Sequence, residues 1–281
     1  SCVPSLFSPP SGKMVVFYND LNKVARDIIN DDYSLKRTLK MKHTTPHGLT
    51  VTSKSEHQKG VAGALEAKFF HAKSGIMVDK AKLNADGSMG LEASMKGVAK
   101  DVKLLAKVDD SLKGSVIVEM TKANMSNRAT VDVEGSWVKA SSCFSVGSGL
   151  LVGADAEATT GKTSTLKAYS VGAATGGPRW QASLTCTNKM QTYNAAAFYM
   201  MRPEMVASVL ATSTPEKSET SFVAGVKYQC NPKTVVRAKV NSEGVLAACA
   251  TNKCADKMAI TVTSQVRDRD SRRHIILVCL L

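Results

Sequence analysis

The 281-residue sequence has no long apolar run and few aromatic side chains, which make up 5% of its residues. No apolar segment is longer than the terminal Ile275–Leu281, which is far short of the roughly 18 residues that a membrane-spanning helix needs. Hydrophobic residues nevertheless make up 43% of the chain, and its mean hydropathy is −0.10. These values exclude a helical membrane protein and a disordered chain.

Spacings typical of metal sites, disulfide frameworks and catalytic sites are also missing. The seven cysteines are an odd number without a Cys-x-x-Cys pair, which favours a reducing compartment over a disulfide scaffold. His43 and His47 stand four residues apart but flank Pro46, which would break the helix that such a metal pair requires. Acidic residues are scattered, and no nucleophile stands beside a base in a known motif. We therefore expect no metal, no cofactor and no catalytic residue, and hence no enzyme.

Two glycine-containing segments come close to nucleotide-binding motifs. Ala156–Thr163 ends in Gly161-Lys162-Thr163, but alanine stands where a phosphate loop has its first glycine. The residues that follow alternate like a strand instead of opening the helix that a phosphate loop needs. Gly147–Gly153 is one residue too long for the dinucleotide motif, and no helix follows it either. A hairpin turn and a bend in a curved sheet fit these two segments better.

The charge balance is strongly basic. Lysine and arginine number 37 against 24 acids, which gives a net charge of +13. Such an excess attracts nucleic acid, anionic lipid or phosphorylated metabolites without distinguishing among them. Because the basic residues are spread along the chain, they do not indicate a basic tail or a recognition helix.

The N-terminal residues 1–13 are rich in Ser and Pro and predict a flexible tail. They lack the basic start and apolar core of a secretory signal and the Arg-rich amphipathic pattern of a transit peptide. Residues 17–30 predict the one helix of the chain, with Asn19 as its cap. The apolar residues of this helix recur at helical spacing: Phe17, Leu21, Val24, Ala25, Ile28 and Ile29.

From Ser34 to the end the apolar period changes to two, as in Leu39, Met41 and His43 against Lys40 and Lys42. Turn clusters separate such segments about every 10 to 14 residues, which predicts roughly 18 or 19 strands. A single sheet of that size must close or split. One face is aliphatic and the other carries Thr, Ser, Lys and Asn, which is typical of a transmembrane barrel. A soluble all-β protein is the alternative.

The helix segment "FYNDLNKVARDIINDDY" resembles the N-terminal helix of the voltage-dependent anion channels, the mitochondrial porin family. Asn22 departs from that family's pattern, Tyr-x-Asp-Leu/Ile-Gly-Lys-x-Ala-Arg-Asp, by replacing its glycine. The matching residues are Tyr18, Asp20, Leu21, Lys23, Ala25, Arg26 and Asp27. The late segments Lys227–Gln229 and Ala238–Asn241 are also similar to the family's strands, and the resemblance extends over residues 14–281.

The resemblance implies one all-β domain over residues 14–281, a transmembrane β-barrel of about 19 strands with an N-terminal α-helix in its lumen. First and last strands would be parallel. The family's Gly-Leu-Lys motif reads Asp101-Val102-Lys103 here, so only Lys103 carries over. Asp31–Ser34 replace the family's flexible glycines, and the family's membrane-facing acid has no secure equivalent, Asp79 being the nearest acid.

The implied function is a voltage-gated, weakly anion-selective diffusion channel for ATP, ADP, phosphate and small metabolites across the mitochondrial outer membrane. Asp20, Lys23, Arg26 and Asp27 would form the voltage-sensing face of the pore helix. The strand alternation adds the basic residues expected to line the pore: Lys40, Lys42, Lys54, Lys103, Lys107, Lys167, Arg237 and Lys239. The expected partners are membrane lipid and the transported anions and nucleotides, with a homo-oligomer as one option and no nucleic acid.

Two alternatives stay open at this point. The protein-translocating barrel of the same membrane is similar but has longer terminal segments, and it would co-purify with small receptor subunits. A soluble, basic, β-rich nucleic-acid-binding protein would be extracted by carbonate without detergent, and its RNA binding would weaken steeply with salt.

Overall fold

A computed structural model describes most of the chain. The described residues are 15–31, 33, 37–57, 61–71, 74–111, 113–147, 149–160, 164–255, 258–267 and 270–280. The predicted tail over residues 1–13 and the Gly161-Lys162-Thr163 segment lie outside them.

The N-terminal segment forms a short 3-10 helix, Tyr18–Asp20, and an α-helix, α1, Lys23–Asn30. The expectation of one continuous helix over 17–30 is wrong, because the chain leaves helical geometry at Asn22. The Leu21 carbonyl just before this break accepts a 3.1 Å hydrogen bond from Gln181 Nε2 of the sheet, so it needs no helical partner. Asn19 is not the cap, since Phe17 and Asn22 precede the two helices. None of the described helices combines the length and apolar character needed to cross a membrane.

Nineteen strands make up most of the rest of the described chain. Their bounds are β1 Arg37–Thr44, β2 Thr50–His57, β3 Val61–His71, β4 Ile76–Asn84, β5 Met89–Lys96, β6 Val102–Asp109, β7 Gly114–Lys122, β8 Met125–Asp132, β9 Trp137–Ser145, β10 Leu151–Thr159, β11 Thr165–Gly177, β12 Trp180–Thr187, β13 Thr192–Arg202, β14 Met205–Thr214, β15 Glu219–Asn231, β16 Thr234–Asn241, β17 Val245–Ala255, β18 Met258–Arg267 and β19 Asp270–Leu280. A second 3-10 helix, Pro215–Lys217, joins β14 to β15.

The strands form one closed barrel. Each strand pairs antiparallel with the next in sequence, and β1 pairs parallel with β19 through Lys40 and Leu280. An up-and-down chain with an odd number of strands leaves its first and last strands pointing the same way, so the closing pair must be parallel. Closure removes the exposed edges that an open sheet of this size would carry. The predicted all-β barrel of about 19 strands with an N-terminal helix is confirmed.

Candidate pore and its inner wall

The N-terminal segment identifies the inner face of the barrel. The Ser126 hydroxyl on β8 donates to the Val16 carbonyl at 2.7 Å, and the Ser208 hydroxyl on β14 donates to the Ala25 carbonyl at 3.3 Å. Farther along the ring, Arg237 on β16 donates to the Asp31 carbonyl at 3.1 Å. A segment this short can reach strands so widely separated around a closed ring only from the concave side. The face that carries these contacts therefore lines the lumen.

Apolar side chains anchor the segment to the wall. Leu21 and Ile29 are each 1% exposed, and Ala25 and Ile28 are also buried. Glycine provides the necessary space at Gly225, where an added Cβ would lie 3.2 Å from Ile29 Cγ1. At Gly153 on β10 an added Cβ would lie 2.9 Å from the Tyr18 ring, so a larger residue would push this ring off the wall.

The opposite side of the segment faces the open lumen. Lys23, Arg26 and Asp27 are exposed, and Lys23 Nζ lies 3.8 Å from Asp20 Oδ1. The four residues expected to form the voltage-sensing face are therefore brought together on one surface. Their role in voltage sensing stays a prediction.

Tyr18 is the buried ionisable group of this segment, and its side chain is 6% exposed. Burial, followed by the nearby carboxylate of Asp155, raises the pKa of Tyr18 from 10.0 to about 12. Both causes disfavour the phenolate, so the docked segment favours the neutral phenol.

The strand register places seven of the eight basic residues predicted for the pore on the inner face. The reference point is Arg128 on β8, whose guanidinium lies 4.4 Å from the centre of the Phe17 ring. Arg128 stands opposite Glu119, which stands opposite Lys103. Following the pairing from strand to strand around the ring places six more on the same face: Lys40, Lys42, Lys54, Lys107, Arg237 and Lys239.

Lys167 reaches the inner face by an irregularity that alternation does not reveal. The β10–β11 register shifts between Glu157 and Ala158, so Lys167 is the extra residue of a bulge. Regular alternation would have turned it outward with Tyr169. Instead its Nζ lies 3.0 Å from Glu157 Oε1 on the inner face.

Acidic partners of these lysines were missed by the sequence analysis. Strands β2 to β11 carry seven inner ion pairs: Lys54–Glu56, Lys68–Asp79, Lys80–Glu66, Lys107–Glu92, Arg128–Glu119, Lys139–Asp155 and Lys167–Glu157. Six of the seven pairs join neighbouring strands, so a signal for them exists only once the register of those strands is known, whereas Lys54 and Glu56 stand two residues apart on β2. Asp79 belongs to this inner network, at 4.0 Å from Lys68, and does not face the membrane side.

The remaining predicted basic residues fall into two groups. Arg237 bonds the Asp31 carbonyl, and Lys239 Nζ lies 4.3 Å from the centre of the Tyr33 ring, so both hold the segment after α1. Lys40, Lys42 and Lys103 have no ion pair within the described part of the chain. These three are therefore free to act on ions in the lumen.

The inner wall is charged on one side and neutral on the other. Strands β12 to β14 carry one charged residue, Arg202, at the end of β13. Their inner positions are small or uncharged, as at Ser183, Ala196 and Ser208. α1 packs on this sector and its neighbours, from β13 to β16. If α1 packed against the ion-pair network, the charged groups there would lose their water, which costs free energy. Packing on the neutral sector avoids most of this cost.

The outer face is apolar. Large exposed side chains alternate with the inner set along the strands, among them Leu65, Leu91, Val116, Phe144, Val152, Leu184, Phe222 and Leu246. Outward aromatic residues stand near both strand ends, with Trp180 and Tyr199 paired near one mouth and Tyr193 near the other. Tyr193 and Tyr199 are six residues apart on β13, or about 20 Å along the strand. This matches the apolar band and aromatic girdles of outer-membrane barrels.

Groups that could hold a metal are not found among the described residues. Cys143, Cys186, Cys230 and Cys254 form no disulfide within the described chain; the first two are buried and the last two are exposed, and Cys249 is buried as well. Cys143 lies on the inner wall beneath Tyr18 and Leu21.

The chain is similar to several known proteins. The profile of the eukaryotic porins matches residues 15–271. Mitochondrial outer membrane protein porin 5 of Oryza sativa subsp. japonica is 25% identical over 254 residues, 88% of this chain and 90% of the rice protein. The voltage-dependent anion-selective channel of Drosophila melanogaster is 25% identical over 277 residues, 92% of this chain and 93% of the fly protein. A solved mutant of Rh. blastica porin aligns at 10% identity and a TM-score of 0.46, over 83% of this chain and 92% of that one.

Proposed function

The chain belongs to the eukaryotic porin family, and we propose that it is a voltage-gated diffusion channel of the mitochondrial outer membrane. It conducts ATP, ADP, phosphate and small organic acids through the barrel lumen, with a weak preference for anions. The observation that carries this proposal is a closed barrel with an apolar outer face and a charged sector of its inner wall. The docked helix packs elsewhere on the wall and leaves this charged sector open to water.

Anion preference follows from the inner charges that acids do not balance. The seven inner ion pairs contribute little net field, because each joins one cation to one acid. Lys40, Lys42 and Lys103 add positive charge without a partner within the described chain. Positive potential along a low-dielectric wall raises the local concentration of anions. The preference is weak because the lumen is wide and ions keep their water.

Voltage dependence is supported by the exposed face of the N-terminal segment. Lys23, Arg26, Asp20 and Asp27 share this face, and a few hydrogen bonds and apolar contacts hold the segment to the wall. Moving one charge through the membrane potential is worth about 2.3 kcal/mol per 100 mV. Lys23 and Arg26 balance Asp20 and Asp27 in net charge, so voltage acts on this segment by reorienting it, which moves its cations and its carboxylates by different distances along the field.

Reconstitution tests the proposal. The purified protein should resist carbonate extraction from membranes and release ATP from loaded liposomes. Extraction by carbonate without detergent, together with salt-sensitive RNA binding, would instead identify the soluble nucleic-acid-binding protein. Liposomes that retain ATP but respond to cationic presequence peptides would identify the protein-translocating barrel.

A further inference from the structure

Two arginines and three aromatic side chains stand close together at one mouth of the barrel, between the β11–β12 turn and β15. Arg179 lies in that turn and Arg202 at the end of β13, and both are exposed. The exposed rings of Trp180, Tyr199 and Tyr228 lie on the outer face of the same strands. We term these five residues the arginine–aromatic cluster.

A bulge turns Arg202 toward the membrane. The β13–β14 register shifts between Met200 and Arg202, so Arg202 stands opposite Met205 and not beside Met200 on the inner face. Met205 in turn stands opposite Tyr228 on the outer face. Regular alternation would have directed Arg202 into the lumen. It lies instead on the lipid-facing side, with aromatic residues of the cluster on both flanks.

Arg179 lies beside Arg202 on the same rim. The Met200 backbone N–H donates to the Arg179 carbonyl at 2.7 Å, which extends the β12–β13 pairing by one residue beyond Trp180 and Tyr199. Arg202 follows Met200 by two residues, about 7 Å along the strand. Because each guanidinium presents a fork of N–H donors, two of them at this spacing can bind one phosphate group between them.

The charge of these arginines is not neutralised within the described part of the chain. Neither Arg179 nor Arg202 has an ion pair among the described residues. Glu204 lies in the β13–β14 turn, and its carboxylate pairs with neither arginine. One acid beside two arginines leaves a net positive charge at this point of the rim, which attracts anions.

The aromatic rings place this charge at the level of the lipid headgroups. Trp180 and Tyr199 stand opposite each other on neighbouring strands. A Cβ added at Gly177 would lie 3.1 Å from Trp180 Nε1, so the indole extends over the end of β11, close to the turn. Outward tryptophan and tyrosine residues mark the boundary between membrane and water, because their rings are amphipathic. Arginines at this boundary meet the phosphate groups of the lipids.

Small side chains next to the rings leave room for acyl chains. The outward positions of β12 to β15 that adjoin the aromatic row are mainly alanine: Ala182, Ala195, Ala197, Ala207 and Ala224. The corresponding positions of β5 to β7 carry larger residues, as at Leu91, Leu104 and Val118. Acyl chains can therefore lie closer to the backbone below the cluster than on β5 to β7.

We propose that the arginine–aromatic cluster binds the headgroup of an anionic phospholipid, with its phosphate between Arg179 and Arg202 and its acyl chains on the alanine surface. The inference goes beyond the channel function, since it requires only that the barrel spans a membrane. Phosphatidylcholine carries a quaternary ammonium that the two arginines repel. The site therefore selects lipids by the charge of the headgroup.

Trp180 itself reports binding. The chain has two tryptophans, so Trp137→Phe leaves Trp180 as the one reporter. Its fluorescence is measured in phosphatidylcholine vesicles that contain increasing fractions of phosphatidic acid or of phosphatidylcholine with brominated acyl chains, which quench it. We expect brominated phosphatidic acid to bind beside Trp180 about tenfold more tightly than brominated phosphatidylcholine. Equal binding of the two lipids, or a preference for phosphatidylcholine, would overturn the proposal.

Matched variants in the Trp137→Phe protein separate a site from a general surface charge. Arg179→Gln with Arg202→Gln should remove the preference for phosphatidic acid, while the circular dichroism of the barrel stays unchanged. Lys100→Gln with Lys122→Gln removes the same charge from the β5–β6 turn and the end of β7, at the same mouth. This second pair should keep the preference. Equal loss in both pairs would contradict a defined site.

Two further measurements keep the proposal apart from its neighbours. Excess inorganic phosphate in the buffer should leave the preference unchanged, because the acyl chains hold the lipid in place; loss of the preference would identify a site for free phosphate instead. A conducting barrel without lipid preference rejects the lipid site and leaves the channel function standing. A lipid preference in a barrel that conducts nothing rejects the channel function and retains the lipid site.

Discussion

At the residue scale, Tyr18 links the docked helix to pH. Its pKa is raised from 10.0 to about 12, chiefly by burial, so docking favours the neutral phenol. This contribution is fully present below pH 10 and is lost as the pH rises through 12. The corresponding change in the docking equilibrium is about 100-fold.

Phenolate absorbance at 295 nm measures the pKa of Tyr18 directly. The difference between the native protein and Tyr18→Phe should titrate with a midpoint near 12. Leu21→Asn, which loosens the segment, should move that midpoint back toward 10. A midpoint near 10 in the native protein would show that Tyr18 is not buried in the docked state.

Lys23 and Arg26 carry the positive charge on the lumen side of the segment. Replacing both with glutamate should shift the reversal potential toward cations and weaken voltage closure, because the charge lies on the conduction path. The control variant Lys189→Glu with Lys217→Glu makes the same charge change in two turns outside the lumen. It should shift the reversal potential less. An unchanged reversal potential in the first variant would place the helix outside the lumen.

Single residues show where prediction from sequence stops. Alternation puts Lys103 and Lys239 on the wet face, and the register places them there, although their effect on selectivity stays a prediction. Lys167 needs a bulge to face inward. Glu119 and Asp155 become recognisable as partners only when the register of the neighbouring strands is known.

At the element scale, β6 offers a test of its two faces. Leu104 and Leu105 are adjacent, with Leu104 outward and Leu105 inward. Leu104→Arg should lower the free energy of unfolding from lipid vesicles by about 2–4 kcal/mol, because it sets a charge against the hydrocarbon. Leu105→Arg faces water and should cost far less in the same urea titration. Equal losses would contradict a membrane-spanning strand.

Docking of the N-terminal segment can be followed by cysteine labelling. Cys143 is 0% exposed and packs beneath Tyr18 and Leu21. In a variant that keeps only Cys143, Leu21→Asn with Ile29→Asn should speed maleimide labelling roughly tenfold or more, since each replacement removes a buried aliphatic anchor. Labelling of a variant that keeps only Cys186, on the outer face, should not change. If Cys143 labels no faster, the segment is not what covers it.

The helix illustrates why element boundaries are hard to predict. Its apolar spacing predicts the buried face correctly, with Leu21, Ala25 and Ile28 on the wall. At the break, the Leu21 carbonyl accepts a hydrogen bond from Gln181, a residue 160 positions away. Local sequence contains no signal for such a contact.

At the scale of the whole molecule, the sequence predicts a closed barrel but not how charge is distributed around its inner wall. Period-two alternation predicts a barrel, and the turn spacing predicts roughly 18 or 19 strands. The choice of 19 rests on the family resemblance, and the parallel β1–β19 pair follows from that odd number. The neutral sector of β12 to β14 was not predicted. A stretch of sequence with few charges does not by itself indicate a docking surface, and its role is recognised only from the contacts that α1 makes there.

Ion preference is the most direct test of this charge arrangement. In a planar bilayer separating concentrated from dilute KCl, the native protein should form large pores whose reversal potential shows chloride to be more permeant than potassium. A reversal potential of the opposite sign, or no conductance from correctly folded protein, would contradict an anion-selective pore.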